Sequence, residues 1–570
     1  MVRSHTVLSA SSVCAAVLAQ LKDKSNDVQS IAVKCLGVLV TKVQTSQVAD
    51  ICRKLCDLLL KGTPELRDIY AIGLKTIIAD VAHKTAAVIA PGICSQLLTG
   101  LSMDQEMAVK AETLGILTDL LRRFGYDVAL EHATIMELLM EQLTDDAPLV
   151  RKRATVCVGA LGVVASETLV SRLVEHLIQD IQASRDAASV RTLIQTIGML
   201  SRTAGHRLGQ HLDAVICILV QFCGDPEDES LQHEDSDDLR SNCFQAFEAF
   251  LSRCHNEITP HVDTMLKLAM QFISYDPNYN CANSADEDEE MVEEEEYSDE
   301  EGDYSDDDDT SWKVRRASLR VLAAIITTRP ELLEQLYIQC AQPLISRFKE
   351  REENVRIDVF AVFSDLLRAT RKTLPSSSGM GSYQYSPASN ACMNQLKQRL
   401  SAIVSSANKQ FGPKVSVSSR CAVLALLSEL AMLEHGKLGE HIGLLMPNIL
   451  SAVEDKHSDL KLDALTFLRL LVDTHTMKPF RPHVDAVATV AVQCAKGDWY
   501  KTVAKALGLI ESLVHIIRSD IKDLMYKPYA VPFFDAVLPN LKAHDIDQEI
   551  KEAAISSIGE IVAILGAYNK

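Results

Sequence analysis

Apolar residues along this chain recur three and four positions apart, the spacing of one face of an α-helix, and short polar turns separate the apolar stretches. One segment recurs: a polar turn that often contains Asp, an apolar residue, often a basic residue, and then a Leu-rich helix. The first apolar residues of its twelve copies are Val28, Leu66, Met107, Val150, Val190, Leu239, Val314, Val355, Val417, Leu460, Tyr500 and Ile550. Most copies lie about 40 residues apart, with a second amphipathic stretch between them, such as Gln47–Leu60. The pattern predicts an all-α, HEAT-repeat (ARM-like) superhelical solenoid of about twelve helix pairs.

Two intervals in this series are longer than the rest and indicate insertions. The interval after Leu239 is 75 residues and contains an acidic run, whereas the interval after Val355 is 62 residues and is rich in Ser, Gly and Pro. An acidic run of low hydrophobicity cannot bury enough surface to offset the entropy of ordering, so we expect a disordered loop. The predicted organisation is repeats at 1–280, an acidic disordered loop at 281–311, repeats at 312–372, a Ser/Gly/Pro-rich insertion at 373–390 and repeats at 391–570.

The formal net charge is −20, and much of it is concentrated in two short segments. There are 17 Asp or Glu residues and no Lys or Arg between Asp286 and Asp309, and 8 further acids between Asp225 and Asp238. Without these, 52 acidic and 57 basic residues remain, a balance of about +5. We therefore expect slightly basic repeats, and acidic segments that repel nucleic acid.

Residues of the recurring turns have structural roles that compete with binding. We expect turn aspartates such as Asp27, Asp146 and Asp459 to cap the second helix of a pair. The basic residue that follows can pair with the neighbouring repeat, or it can contact a partner in the groove that second helices line. Pairing is the stronger interpretation for one isolated cation, but partner contact competes on nearly equal terms in the denser clusters. The candidate partner-binding residues are Arg151, Lys152, Arg153, Trp312, Lys313, Arg315 and Arg316.

Trp312 stands between the acidic run and a basic helix, where it either packs in the core or contacts a partner. The acidic run is either a solvated tether or a mobile element that folds back on the basic groove or competes with an acidic partner. Ser298 and Ser305 lie in strongly acidic surroundings and are candidate phosphorylation sites.

The sequence contains no motif that supports catalysis. We find no glycine-rich phosphate loop, no H-E-x-x-H, no G-x-S-x-G and no ordered calcium loop, so we predict no catalytic residue, no metal site, no cofactor and no small-molecule substrate. No apolar run approaches the length of about 18 residues that a membrane span needs. The fifteen cysteines are scattered among apolar neighbours, which is typical of unbridged thiols in the cytoplasm and nucleus.

Several strings in this chain are more specific than the repeat period. The most specific are YDPNYN at 275–280 before the acidic run, SWKVRRA at 311–317 after it, and LISRFKEREENV at 344–355. Shorter strings of the same kind are Val33–Gly37, Leu66–Ile69, Ile72–Thr76, Ala204–Arg207, Gln245–Glu248, Tyr304–Asp309 and Asp545–Glu549. Together these strings resemble one known family, the cullin-associated, neddylation-dissociated proteins. The resemblance runs in register from about Leu21 to the C-terminus and matches the N-terminal half of the family.

The resemblance implies a function that periodicity cannot supply. Members of the family bind an unneddylated cullin together with its RING subunit, mask the lysine that accepts the ubiquitin-like modifier, and promote exchange of substrate receptors on cullin-RING (SCF-type) ligases. The family's N-terminal half lies against the cullin C-terminal domain and the RING subunit, and its C-terminal half displaces the adaptor. The resemblance therefore implies that this chain binds the cullin and RING subunit, and it leaves adaptor displacement open.

Two other HEAT scaffolds fit the repeat pattern. An importin-β-like nuclear transport receptor also has an acidic HEAT array with an acidic loop, but it should bind Ran and Phe-Gly repeats. A phosphatase scaffold subunit should have uninterrupted repeats of nearly constant length. The irregular intervals disfavour the phosphatase scaffold, and the specific strings disfavour the transport receptor.

Overall fold

The computed structural model describes residues 10–102, 105–184, 186–225, 234–276, 310–374, 387–518, 527–542 and 547–567. Among these residues the regular elements are helices, and none is a strand. The helices follow one another as pairs joined by short turns, which confirms the predicted all-α repeat class. Most of the predicted acidic loop at 281–311, including Ser298 and Ser305, lies outside the described residues. Only Thr310 and Ser311 of this range are described, and Ser311 already belongs to a helix. Most of the predicted insertion at 373–390 also lies outside the described residues, although 387–390 are helical.

Contacts divide the chain into two compact units, Met1–Val321 and Leu322–Lys570. This division falls inside one helix of a pair rather than at either insertion. The helices that begin in the first unit are α1 (Ala10–Gln20), α2 (Asn26–Val40), α3 (Thr45–Lys61), α4 (Arg67–Asp80), α5 (His83–Thr99), α6 (Met107–Phe124), α7 (His132–Gln142), α8 (Pro148–Val164), α9 (Glu167–Ala183), α10 (Ala187–Ala204), α11 (Leu212–Cys223), α12 (Glu234–Arg253), α13 (Val262–Phe272) and α14 (Ser311–Thr328).

The second unit continues the same arrangement. Its helices are α15 (Leu333–Ser346), α16 (Glu353–Thr373), α17 (Pro387–Lys409), α18 (Val417–Leu433), α19 (Ile442–Val453), α20 (Ser458–Thr474), α21 (Met477–Phe480), α22 (Val484–Ala495), α23 (Tyr500–Arg518), α24 (Lys527–Lys542) and α25 (Gln548–Ala567). The described helices make twelve pairs plus the short α21. The twelve sequence anchors fall in, or directly before, the second helix of each pair.

Second helices of successive pairs pack side by side within each unit. In the first unit α2 packs on α4, α4 on α6, α6 on α8, α8 on α10 and α10 on α12. In the second unit α16 packs on α18, α18 on α20, α20 on α23 and α23 on α25. Second helices inside these two runs therefore have neighbours on two sides and keep one long edge for solvent or a partner.

The apolar stripe of α8 shows how the sequence specifies this packing. Val150, Ala154, Cys157, Val158 and Leu161 are all buried, and they recur at the three- and four-residue spacing of one helix face. Full burial of one such aliphatic side chain contributes about 1.5–3 kcal/mol relative to exposure. The repeated stripe thus fixes which face of each helix turns toward its neighbours.

The prediction that the turn aspartates cap the second helices was wrong at all three positions. Asp27 and Asp459 lie in the first turn of their helices, and the residues at the cap positions, Ser25 and His457, make no side-chain cap hydrogen bond. Asp146 precedes the cap residue of α8, which is Ala147. A first-turn carboxylate still interacts favourably with the helix dipole, but it does not satisfy the free N–H groups.

Acids slightly earlier in the chain stabilise these turns instead. The Asp23 carboxylate accepts a hydrogen bond from the Ser25 N–H at 2.8 Å, and Asp145 accepts one from Ala147 at 2.9 Å. Asp145 also joins two repeats, because the Lys110 ammonium of α6 donates to its carboxylate at 2.8 Å. Burial alone would raise the pKa of Asp145, but the hydrogen bonds from Lys110 and Ala147 hold that pKa below its usual value.

Candidate functional site

A groove of about 820 Å³ opens across the second helices α8, α10, α12 and α14 of the first unit. Seven cationic side chains and one acidic side chain are among the described residues that line it. The cations are Arg151, Lys152, Arg191, Arg202, Lys313, Arg316 and Arg320, and the acid is Asp238. We call this feature the basic groove. Five of the seven candidate partner-binding residues, from two distant parts of the sequence, lie together in it.

Arg151 lines the groove but is held by its own repeat and by the next one. Its guanidinium donates to the backbone oxygens of Asp145 and Asp146 at 2.8 and 2.9 Å, and to the Thr192 hydroxyl at 3.2 Å on α10. Arg356 does the same in the second unit, where it bonds the preceding turn and the Ser419 hydroxyl. This recurring contact joins neighbouring repeats, so Arg151 supports the groove wall more than it offers a free charge.

The next two residues of this basic cluster face different sides of α8. Lys152 is exposed and lines the basic groove. Arg153 does not line the groove, because its guanidinium pairs with Glu112 of α6 at 3.2 Å. Glu112 also accepts from Lys75 of α4 at 2.9 Å, so Arg153 belongs to an ion-pair network across three repeats.

On α14, residues four positions apart face the groove. Trp312 is half-buried, and the Arg316 guanidinium lies 5.9 Å from the centre of its indole ring, a cation–π arrangement. Lys313 pairs with Asp238 of α12 at 3.3 Å. Trp312 therefore presents part of its indole surface to the groove beside two cations.

Arg315 lies on the opposite side of α14 and is fully buried. Its guanidinium donates to the Tyr275 backbone oxygen at 2.7 Å and to the Ser311 hydroxyl at 2.9 Å, and it lies 3.8 Å from the Asp276 carboxylate. A side chain with this burial cannot reach a partner in the groove. The structure thus assigns Arg315 to the support of the helix start.

Three cations of the groove were missed by sequence reasoning: Arg191, Arg202 and Arg320. Each stands alone in the sequence, so no local cluster drew attention to it. Arg320 follows Arg316 by four residues, and Arg202 follows Arg191 by eleven, so each pair shares a helix face. Helical periodicity applied from Trp312 would have found Arg320, whereas the two residues of α10 needed knowledge that α10 and α14 line one groove.

The groove carries a positive charge that its one acid offsets only in part. Asp238 pairs with Arg191 at 2.8 Å and with Lys313 at 3.3 Å. Lys152, Arg202 and Arg320 are exposed and form no ion pair with any described residue. Such a surface attracts anionic ligands over roughly one Debye length, about 8 Å at physiological salt.

A buried polar network lies beside the groove, where the two acidic segments join the repeats. The Arg240 guanidinium donates to the Cys223 and Asp225 backbone oxygens at 2.8 and 3.1 Å and to the Tyr275 hydroxyl at 2.9 Å. Tyr275 in turn donates to the Asp237 carboxylate at 2.9 Å. Burial and the Asp237 charge raise the pKa of the Tyr275 hydroxyl, which keeps it a hydrogen-bond donor.

Thr310 joins the same network from the far end of the acidic loop. Its hydroxyl donates to the second oxygen of Asp237 at 3.0 Å. Both flanks of the acidic loop, Tyr275–Asp276 and Thr310–Ser311, are therefore fixed at the start of α14, directly beside Trp312. The network thus holds the two described flanks of the chain's most acidic segment next to the basic groove.

Three buried thiols of the first unit are unsuited to nucleophilic chemistry. Burial raises the pKa of the Cys52, Cys94 and Cys157 thiols to about 12, so they remain protonated and unreactive at neutral pH. No group of three or more metal-ligating side chains occurs within the part of the chain that the structure describes. None of the described helices has the length and apolar character needed to cross a bilayer.

A smaller cavity of about 500 Å³ lies in the second unit, where the turns before α20 and α23 meet. Trp499 lines it together with Lys456 and Lys461, and the Lys501 ammonium lies 6.0 Å from the indole centre. Sequence reasoning did not single out Trp499. The cavity repeats the Trp–Lys combination of the basic groove with fewer cations.

Comparisons with known proteins agree on the family. A family model described as "CAND1-like, TPR repeats" matches residues 436–558. Cullin-associated NEDD8-dissociated protein 2 of Mus musculus is 37% identical over 561 residues, which cover 96% of this chain and 44% of that protein. The corresponding protein 1 of Drosophila melanogaster is 37% identical over 569 residues, and that of Arabidopsis thaliana is 36% identical over 557, each with 96% and 44% coverage. The chain thus spans less than half the length of these curated relatives.

Solved structures show the same fold at low sequence identity. The crystal structure of Kap121p superposes with a TM-score of 0.57 at 14% identity, covering 98% of this chain and 53% of that one. A Kap95:Nup1 complex gives a TM-score of 0.61 at 11% identity, covering 96% and 62%. These likenesses confirm the HEAT-type solenoid. The spacing near 40 residues also fits HEAT repeats better than the 34 residues typical of TPR repeats.

Proposed function

Because the chain belongs to the cullin-associated NEDD8-dissociated protein family, we propose that it is a non-catalytic scaffold that binds and regulates cullin-RING ubiquitin ligases. The observation that carries the proposal is the 36–37% identity maintained over 96% of this chain. Identity at this level along nearly the whole array supports the same packing between repeats, and with it a surface built on successive second helices. We propose that this surface binds the cullin C-terminal domain and its RING subunit.

The proposed mechanism is steric and thermodynamic. The array binds the unneddylated complex, covers the lysine that would receive the ubiquitin-like modifier, and so shifts the population of ligases toward the unmodified state. A ligand shifts such an equilibrium only by its difference in affinity for the two states. Regulation of assembly and receptor exchange then follows, because a ligase held in one state reassembles with different receptors.

The direct test is binding of the purified chain to a cullin C-terminal domain with its RING subunit, in unmodified and neddylated forms. We expect at least tenfold tighter binding to the unmodified form, together with a slower neddylation reaction when the chain is present. Equal binding to both forms would contradict state-selective masking. Binding to neither form would contradict the proposed partner, and a pull-down with Ran would then test a transport receptor.

A charge-reversal variant tests whether the basic groove takes part in this binding. Lys152→Glu/Arg202→Glu/Arg320→Glu changes three exposed cations that have no described ion pair, so the repeats should stay folded. Lys54→Glu/Lys84→Glu/Lys267→Glu is the matched control, because these exposed lysines lie on the first helices α3, α5 and α13. If the groove contacts the cullin complex, only the first variant weakens binding.

We also propose that the chain acts in the cytoplasm and nucleus and has no nucleic-acid partner. The described cysteines are unbridged, which supports a reducing compartment. Trp312 is the one aromatic residue among the described groove residues, so the groove lacks the series of stacking surfaces found in a nucleic-acid channel. The acidic segments of the sequence also repel a polyanion. Imaging of a fluorescently tagged chain tests the compartment. Retention on heparin, a polyanion, at physiological salt would contradict the proposal that the chain has no nucleic-acid partner.

A further inference from the structure

We propose that the basic groove is a docking surface for the chain's own acidic segment, residues 286–309. This inference goes beyond the proposed function and does not depend on it. It rests on three observations: the charge of the groove, the charge of the segment, and the fixed positions of the two flanks from which the segment leaves the repeats.

Charge complementarity is the first step. The described residues that line the groove include seven Lys or Arg and one Asp, and Lys152, Arg202 and Arg320 have no described ion pair. The segment carries 17 acids and no Lys or Arg over 24 residues. Clustered cations with low-dielectric walls raise the local concentration of an anionic ligand. The groove is thus short of negative charge, and the segment is the largest source of it in the chain.

Tethering at the rim is the second step. Asp276 lies beside the buried Arg315, and Thr310 is bonded to Asp237, so both flanks are fixed at the start of α14. Trp312, Lys313 and Arg316 of the groove follow within six residues of Thr310. Tethering by a few tens of residues gives an effective concentration in the millimolar range, which occupies even a weak site.

Reach is the third step. The 33 residues at 277–309 can span up to about 110 Å when extended. The groove crosses four second helices, which at about 10 Å between neighbouring axes makes a path of roughly 30 Å. The segment can therefore lie along the whole groove and return to Thr310. Tyr297 and Tyr304 interrupt the acids and supply apolar surface suited to Trp312 and Met199 of the groove.

A labelled peptide of residues 286–309 provides the test, with no cullin present. It is titrated by fluorescence anisotropy against the full chain and against a neutral-segment chain, in which the 17 acids of the segment become Asn or Gln. We expect salt-sensitive binding to the neutral-segment chain and at least about tenfold weaker binding to the unaltered chain, whose own segment competes at high effective concentration. Equal affinity for the two chains would overturn the proposal and indicate a groove left open for an acidic partner.

The groove and control variants are then combined with the neutral-segment chain. Lys152→Glu/Arg202→Glu/Arg320→Glu should abolish peptide binding, whereas Lys54→Glu/Lys84→Glu/Lys267→Glu changes the net charge equally and should leave it intact. Circular dichroism checks that both remain helical. Undiminished binding to the groove variant, or no binding to the neutral-segment chain, would each overturn the proposal.

A peptide phosphorylated at Ser298 and Ser305 should bind to the neutral-segment chain more tightly than the unmodified peptide, since each phosphate adds about 1.5–2 negative charges. Weaker binding would contradict the electrostatic basis of the proposal.

Discussion

Arg240 is a fully buried cation whose neighbours depend on its charge and its hydrogen bonds. Arg240→Met would remove the cation beside the Asp237 carboxylate and the hydrogen bonds that Arg240 donates to two backbone oxygens. We expect the free energy of unfolding to fall by about 3–5 kcal/mol, because removal of one partner of a buried ion pair is strongly destabilising. Urea unfolding followed by Trp312 fluorescence, in a chain that also carries Trp499→Phe, measures this loss. Arg202→Met makes the same chemical change at an exposed site and should alter stability by less than about 0.5 kcal/mol.

Two buried histidines should make the free energy of unfolding depend on pH. Burial lowers the pKa of His132 and of His475. The His132 ring donates to the Gly125 backbone oxygen and the His475 ring donates to the Leu471 backbone oxygen, which opposes this lowering only in part. An unfolded histidine binds its proton near pH 6.5, so the unfolded chain takes up protons before these folded residues do. Their contribution to stability is therefore complete above about pH 6.5 and is lost as the pH falls toward the lowered pKa values.

We expect the urea midpoint to fall between pH 7.5 and pH 5.5, and to fall less in the variant His132→Gln/His475→Gln. The comparison uses the change with pH rather than the absolute midpoint, because the substitutions themselves cost stability. His206→Gln/His515→Gln alters two exposed histidines and is the matched control. Equal pH dependence in the double variant and in the unaltered chain would contradict the assignment.

The positions of the candidate residues show how far single residues could be assigned to the groove from the sequence. Basic clusters identified Lys152, Lys313 and Arg316 because adjacent cations are visible locally. The same clusters wrongly grouped Arg315 with its neighbours, although Arg315 follows Ser311 by four residues and shares its buried helix face. A charged residue is rarely fully buried unless it is paired. The burial of Arg315 therefore depends on partners such as Tyr275, which lies 40 positions earlier in the sequence.

At the scale of elements, one glycine decides how closely two repeats approach. Gly205 follows α10 and lies against α12, where an added Cβ would be 2.2 Å from the Arg253 Cβ. Because backbone-proximal atoms cannot move aside as a side-chain end can, Gly205→Ala should separate the two helices and destabilise the first unit by about 1–3 kcal/mol. Thermal or urea unfolding measures the change.

Gly92→Ala is the contrasting substitution on the first helix α5. Nothing lies within 4 Å of the Cβ that it would add, and the residue sits inside a helix. We expect it to stabilise the chain by about 0.5–1 kcal/mol, because alanine loses less backbone entropy than glycine. If both substitutions had the same sign, close approach at Gly205 would not be the cause.

Helices were predictable in type and order, because the apolar period repeats in every copy and turn residues separate the copies. Predicted and observed first helices agree within a few residues, as for Gln47–Leu60 within α3 (Thr45–Lys61). The acid that bonds the turn before each second helix was not predictable in the same way. At α2, for example, the sequence alone does not distinguish Asp27 from the earlier Asp23 as the acceptor. Only the backbone of the turn selects the acid whose carboxylate meets a free N–H.

For the molecule as a whole, the division into two compact units predicts that the two units unfold in separate transitions. Helix-pair arrays have mainly nearest-neighbour contacts, so their stability is close to a sum of local terms and distant parts can unfold separately. The chain offers a natural reporter for each unit, Trp312 in the first and Trp499 in the second. Trp499→Phe leaves the first reporter alone, and Trp312→Phe leaves the second.

A reciprocal pair of substitutions tests this independence. Gly205→Ala should lower the urea midpoint that Trp312 reports and leave the midpoint that Trp499 reports unchanged. Gly436 has φ of +75°, a conformation that alanine adopts only with strain, so Gly436→Ala should cost about 1 kcal/mol in the second unit and shift the Trp499 midpoint alone. If either substitution moved both midpoints together, the two units would unfold as one cooperative structure, and a partner bound at one end of the array would then stabilise the other end as well.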